Sequence, residues 1–157
     1  MEIPFDFPYF ASYPHIPTYL SPKQFVELYW PHYKMTIEKL AAKGNKMLIC
    51  CEGKWAHLLS FFREVPKDSC ILMLDDDDLF ETNRAIGDWQ LIAGGAKLSR
   101  LRMDSRGENL DYAKRAIDEC APGGGFLFGT DRCWISPGDV NQNMIDVFNF
   151  AHEYSRK

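Results

Sequence analysis

From Lys46 onward the chain repeats one pattern four times: a short apolar run, a break of polar residues or glycine, then apolar positions at helical spacing. The apolar runs Lys46–Cys51, Cys70–Leu74, Gln90–Ala93 and Gly125–Phe128 predict strands. In MLICC and CILML the apolar residues are consecutive and do not alternate with polar ones. Strands of that kind are covered on both faces, as in a parallel sheet flanked by helices. The intervening segments predict helices over roughly Trp55–Arg63, Leu79–Ile86, Asn109–Cys120 and Val140–Tyr154. Such βα units, joined by right-handed crossovers, build a parallel α/β sheet.

Residues 1–20 follow a different pattern. Pro4, Pro8, Pro14 and Pro17 forbid a helix there and predict an extended arm. Residues 21–157 then form one domain. It opens with a helix that has Ser21 as N-cap and Pro22 in the first turn. Phe25, Leu28, Tyr29, Tyr33, Ile37 and Leu40 recur along its apolar face, Pro31 should kink it, and Gly44 ends it. Four βα units are half of an eight-stranded barrel, which needs about 250 residues. The chain therefore reads either as a small open α/β sheet or as a half-barrel completed by another chain or an N-terminal half. Open parallel edges favour pairing, so a homo-oligomer is expected.

Composition narrows the function classes. Apolar residues make up 46% of the 157, which is enough for one packed core. The net charge is −4 and no basic stripe is present, which argues against nucleic-acid binding. No apolar run approaches the roughly 20 residues that span a bilayer. The N-terminus lacks the basic and apolar regions of a secretory signal. Five cysteines without a scaffold spacing read as reduced thiols of a cytoplasmic protein.

In parallel α/β folds chemistry sits at the carboxyl ends of the strands. Three such ends carry candidate groups. Alternation places Cys50 and Glu52 on one side of the first strand, where a thiolate and a carboxylate can share a metal ion. The same pair also reads as a small buried hydrophobe and a helix cap. Asp75, Asp76, Asp77 and Asp78 follow the second strand. One should cap the next helix, while Asp75 and Asp76, nearest the strand end, would meet a ligand first as acid/base or cation-binding groups. Cys133 lies a few residues beyond the last strand. Cys50, Glu52 and Cys133 together could form an open zinc site with a position left for substrate. Gly94 and Gly95 follow the third strand and could let a cofactor approach the backbone, whereas Gly123–Gly125 read as a turn. His57, near Leu58, Leu59 and Phe62, reads as a packing residue. GxGxxG, GK[ST], HExxH and a serine nucleophile elbow are all absent from the sequence.

The segments LSPKQFVELYWPHYKMTIEKLAAKG, AIGDWQLIAGGAKLSRL and GGGFLFGTDRCWISPGDVNQNMIDVFNFAHEY, in that order, resemble the C-terminal half of the uroporphyrinogen decarboxylase superfamily. The resemblance runs from about Leu20 to Tyr154. It implies four strands of a (β/α)8 barrel whose other half lies outside the resembling region. True decarboxylases of the superfamily act on tetrapyrroles without a metal and carry Leu-Gly-His-Gly after the last strand. Here that stretch is Phe128-Gly129-Thr130-Asp131-Arg132-Cys133, with no histidine. The corrinoid-linked methyltransferases carry His-x-Cys-Gly after the first strand of this half and a lone Cys after the last. Cys50-Cys51-Glu52-Gly53 falls on the former, with Cys for His and Glu for Cys, and Cys133 falls on the latter.

The resemblance thus implies a zinc-dependent methyltransferase that uses Cys50, Glu52 and Cys133, with cobalt carried by a corrinoid partner protein. Two further expectations stand beside it. One is decarboxylation of a tetrapyrrole. The other is a catalytically incomplete half-barrel that acts by association.

Overall fold

A computed structural model describes residues 9–132 and 135–156. It contains one sheet of five strands: β1 (Tyr9–Ser12), β2 (Lys46–Cys51), β3 (Cys70–Leu74), β4 (Leu91–Ala96) and β5 (Phe126–Thr130). All four pairings are parallel, and the strand order in space is the order in the chain. The helices alternate with the strands: α1 (Pro22–Gln24) and α2 (Trp30–Ala41), a 3-10 helix over Ala56–Glu64, α3 (Leu79–Ile86), α4 (Leu98–Met103), α5 (Arg106–Cys120) and, after β5, α6 (Gln142–Tyr154). Sequential order with right-handed crossovers places successive connections on the same side of a sheet.

The register separates two faces. Met47, Ile49 and Cys51 of β2, Cys70, Leu72 and Leu74 of β3, and Ile92 of β4 join Trp30, Ile37, Phe62, Ile86 and Ala116 in the main core. A second cluster of Ala96, Leu98, Leu101, Ala113, Met144 and Val147 seats α6 against α4, α5 and β4. The strand residues of opposite parity point the other way and line up across the sheet. Leu48 pairs with Ile71 and Ile71 with Leu91, while Cys50 pairs with Met73 and Met73 with Ala93.

Four features differ from the sequence expectation. The arm is not separate from the domain, because Tyr9–Ser12 pairs with Lys46–Ile49 and makes the sheet five-stranded. Proline is tolerated just outside a short edge strand, and here Pro14 follows it. Strand β4 runs on through Gly94 and Gly95 to Ala96, because both glycines pair with β5. An additional helix, α4, forms between β4 and α5, with Asp131 accepting a hydrogen bond from its first backbone N–H at Leu98 (3.1 Å).

The fourth difference concerns Pro31. It stands in the first turn of α2 and does not kink a continuous helix. Proline has no N–H to return to Glu27, so the preceding segment Phe25–Tyr29 adopts π geometry, with Trp30 N–H reaching the Phe25 carbonyl. Ser21 caps the start through a capping box with Gln24. Among the described residues no helix is long and apolar enough to cross a membrane.

Candidate functional site

The carboxyl ends of the five strands converge on two adjoining cavities. The first holds about 300 Å³ and is lined by Tyr13, His15, Cys50, Cys51, Glu52, Met73, Asp75, Asp131 and Arg132. The second, about 270 Å³, is lined by Asp75, Asp76, Lys97, Leu98, Ser99, Arg102, Asp131, Arg132 and Asp139. Asp75, Asp131 and Arg132 face both and form the ridge between them.

The four consecutive aspartates divide the work. Asp75 Oδ2 accepts a hydrogen bond from Gly53 N–H at 3.0 Å, and its Oδ1 lies 3.8 Å from Arg132 Nε. Its carboxylate is therefore fixed at the cavity wall with 19% of the side chain exposed. Asp76 is exposed and lines the second cavity only. Asp77 is buried and caps the 3-10 helix Ala56–Glu64, accepting from Trp55 N–H (2.6 Å) and Ala56 N–H (3.1 Å). Asp78 caps its own helix α3 through Glu81 N–H (2.9 Å). Mutual repulsion is relieved because each carboxylate meets a different donor or solvent.

Cys50 and Glu52 both line the first cavity, as their shared strand parity predicts. Cys50 is disulfide-bonded, which corrects the expectation of five reduced thiols, while Cys51, Cys70 and Cys120 are buried free thiols. Burial pushes the Cys70 thiol up to about 12 and the Cys120 thiol up to about 11. Burial, with Asp77 and Cys70 nearby, raises the Cys51 thiol as well. Cys51 lines the first cavity beside Cys50 but is almost fully buried, and Cys70 and Cys120 lie away from it. Cys133 lies outside the described residues.

Glu52 makes an ion pair with His15, a residue that sequence reasoning passed over. His15 follows β1. The register that pairs Ser12 with Ile49, carried three residues further, brings His15 beside Glu52. Recognition of β1 as a strand is the signal that could have found it.

Across the site Asp131 is buried, and loss of solvent raises its pKa above the ordinary aspartate value. The Leu98 N–H and Arg132 pull against that rise, while Asp75 adds to it. Three carboxylates (Glu52, Asp75 and Asp131) thus face one guanidinium and one imidazole in the first cavity, an excess that attracts cations. Among the described residues no three His, Cys, Asp or Glu side chains already stand together as a metal cluster.

Gly94 and Gly95 lie elsewhere. They are interior to β4 and line neither cavity. A Cβ on Gly95 would come within 2.8 Å of the Phe128 ring. His57 also lies apart from both cavities, with Nε2 3.1 Å from the Leu20 carbonyl.

No known protein-family model matches the chain, and no curated protein matches it.

Proposed function

We propose that the chain is the C-terminal half of a (β/α)8 barrel of the uroporphyrinogen decarboxylase superfamily, and that its first cavity is a zinc-centred methyl-transfer site working with a corrinoid partner. The observation that carries this reading is the placement of Cys50 and Glu52 at the end of β2, lining one cavity with Asp75. The sequential parallel order of the strands supports the barrel part, since open doubly wound sheets reverse their order at a switch point.

The donor set suits zinc. Once its disulfide is reduced, Cys50 would offer sulfur and Glu52 oxygen, and Cys133 is proposed as the second sulfur. Bound zinc would supply Lewis acidity that lowers the pKa of a thiol acceptor. Asp75 then accepts the acceptor's proton at Oδ1, while Gly53 N–H holds Oδ2 in place. Arg132 keeps the Asp75 carboxylate oriented between the cavities. Asp76 contacts the part of the substrate that extends into the second cavity. Met73 and Tyr13 line the cavity beside these groups and limit the access of water.

Metal analysis of the full chain, expressed with ample zinc and purified under reducing conditions, tests the reading. Stoichiometric zinc that is lost on Cys50→Ser or Glu52→Gln is expected. Zinc far below stoichiometry in the wild-type chain would overturn it.

A second reading, tetrapyrrole decarboxylation, draws on Asp75 and Arg132, which face both cavities where a large polyanionic ring could lie across the ridge. Spectral titration with uroporphyrinogen tests it, with loss of binding expected on Asp75→Ala and no spectral change counting against it. Either chemistry needs a complete barrel. The outer strands β1 and β5 are therefore proposed to pair with an N-terminal half or a second copy, which sedimentation would detect as assembly.

A further inference from the structure

We propose that the second cavity binds the zwitterionic head of a small amino acid, with Lys97 taking its carboxylate and Asp76 its ammonium. The inference concerns that cavity alone and stands apart from the metal reading above.

Most of the charges that line the cavity are already matched. Four carboxylates and three cations face it. Arg102 is paired with Asp139. Arg132 Nε lies 3.8 Å from Asp75 Oδ1. Asp131 accepts a hydrogen bond from Leu98 N–H at 3.1 Å. One ammonium, Lys97, and one carboxylate, Asp76, are left, and among the described residues neither side chain has a hydrogen-bond or ion-pair partner.

The sheet puts these two at the ends of neighbouring strands, because residues 71–73 of β3 pair with residues 91–93 of β4. Both face one cavity, yet they do not close on each other as an ion pair. Neither side chain has a structural task. Lys97 is the N-cap of α4 but makes no side-chain capping bond. Asp76 is exposed, and its backbone N–H is tied to the Gly53 carbonyl at 3.2 Å, which fixes where the carboxylate emerges.

The ligand class follows from this balance. A simple anion at Lys97 would lie among four carboxylates, and a simple cation at Asp76 would lie near three basic side chains. A ligand with an ammonium and a carboxylate on one carbon answers both groups and leaves the existing pairs intact. The cavity holds about 270 Å³. That is below the roughly 300–1,000 Å³ of sites for drug-sized ligands and suits an amino acid. Ser99, in the first turn of α4, lines the cavity two residues from Lys97 and offers a hydroxyl to the ligand carboxylate.

The test is a titration of the ¹⁵N-labelled full-length chain with L-alanine, read from backbone amide shifts. Propionate, which lacks the ammonium, and ethylamine, which lacks the carboxylate, are titrated beside it. Alanine is expected to shift the amides of Asp76 and Ser99 saturably. Propionate and ethylamine should each bind at least about tenfold more weakly, because each forgoes a charge-assisted hydrogen bond. Lys97→Met and Asp76→Asn should each weaken alanine binding by at least about tenfold while the spectrum stays dispersed.

Propionate binding as tightly as alanine would make the cavity a plain anion site and overturn the proposal. Wild-type affinity for alanine in both variants, or no saturable shift in the wild-type chain, would overturn it as well. The comparison of the three ligands on the wild-type chain decides the matter even if a variant fails to fold. None of these outcomes bears on the zinc content of the first cavity, so the two readings stand or fall separately.

Discussion

Asp77 Oδ2 accepts a hydrogen bond from Trp55 N–H at 2.6 Å, so the helix that follows β2 is capped by a residue that follows β3. The second oxygen takes Ala56 N–H at 3.1 Å. One buried carboxylate thus satisfies two of the helix's unpaired donors and fixes two strand ends relative to each other.

Asp77→Ala should therefore cost about 2–3 kcal/mol of unfolding free energy, because two buried N–H groups lose their acceptor. Asp78→Ala should cost about 1 kcal/mol, the ordinary loss of an N-cap. Asp76, exposed and outside both caps, should tolerate alanine with little change. Urea denaturation of the three variants checks the order, and equal costs would contradict this division of labour among the four aspartates.

Gly95 and Gly123 separate two reasons for glycine. Both have positive φ, +106° and +86°. A Cβ on Gly123 meets nothing within 4 Å, whereas one on Gly95 would lie 2.8 Å from Phe128 Cε2. Gly123→Ala should cost only the backbone strain, about 1 kcal/mol. Gly95→Ala adds the collision with an aromatic ring on the neighbouring strand, for a total of about 3 kcal/mol. Thermal or urea unfolding of the two variants reads the difference.

The same residues show what could be read from the chain alone. The boundaries of β2, β3 and α3 follow from local pattern, because KMLICC and CILML are apolar at almost every position and Asp78 marks the helix start. Asp75 and Asp76 were recognisable as cavity residues because they stand nearest the end of β3. Local pattern failed where pairing overrides it. The glycine pair in β4 looked like the end of a strand, yet its backbone continues the ladder with Phe128 and Gly129. Proline-rich flanks hid β1, and with it His15, whose proximity to Glu52 exists only through a pairing between residues far apart in sequence.

Thiol reactivity should divide the cysteines. Cys51, Cys70 and Cys120 are buried and their thiols are held above the ordinary range. After reduction of the native protein, alkylation with iodoacetamide at mildly alkaline pH should modify Cys50 and spare these three until denaturant is added. Peptide mass spectrometry reads each site separately. Labelling of Cys70 in the native state at the rate of an exposed thiol would show that the core beneath β3 opens readily.

The pH dependence of stability should contain two opposed contributions. The Trp30 indole Nε1–H at 3.0 Å and the Lys34 ammonium hold the Glu64 carboxyl below its usual range. Its contribution to stability is therefore present above the ordinary glutamate value and is lost as pH falls through the lowered one. Asp131 runs the other way. Burial raises its pKa, so the folded chain binds its proton more tightly than the unfolded chain does. Stability must then fall as pH rises from the ordinary aspartate value through the raised one, and stays lowered above it. Asp131→Asn keeps an oxygen for Leu98 N–H and abolishes that loss. Its stability relative to wild type should increase between acidic and neutral pH. Glu64→Gln should lose stability relative to wild type over the same rise, because it forgoes a favourable ion pair. Urea midpoints measured from acid to neutral pH for the three proteins check both signs. An Asp131→Asn curve parallel to wild type would mean that the carboxyl is better solvated than its place on the ridge between the cavities implies.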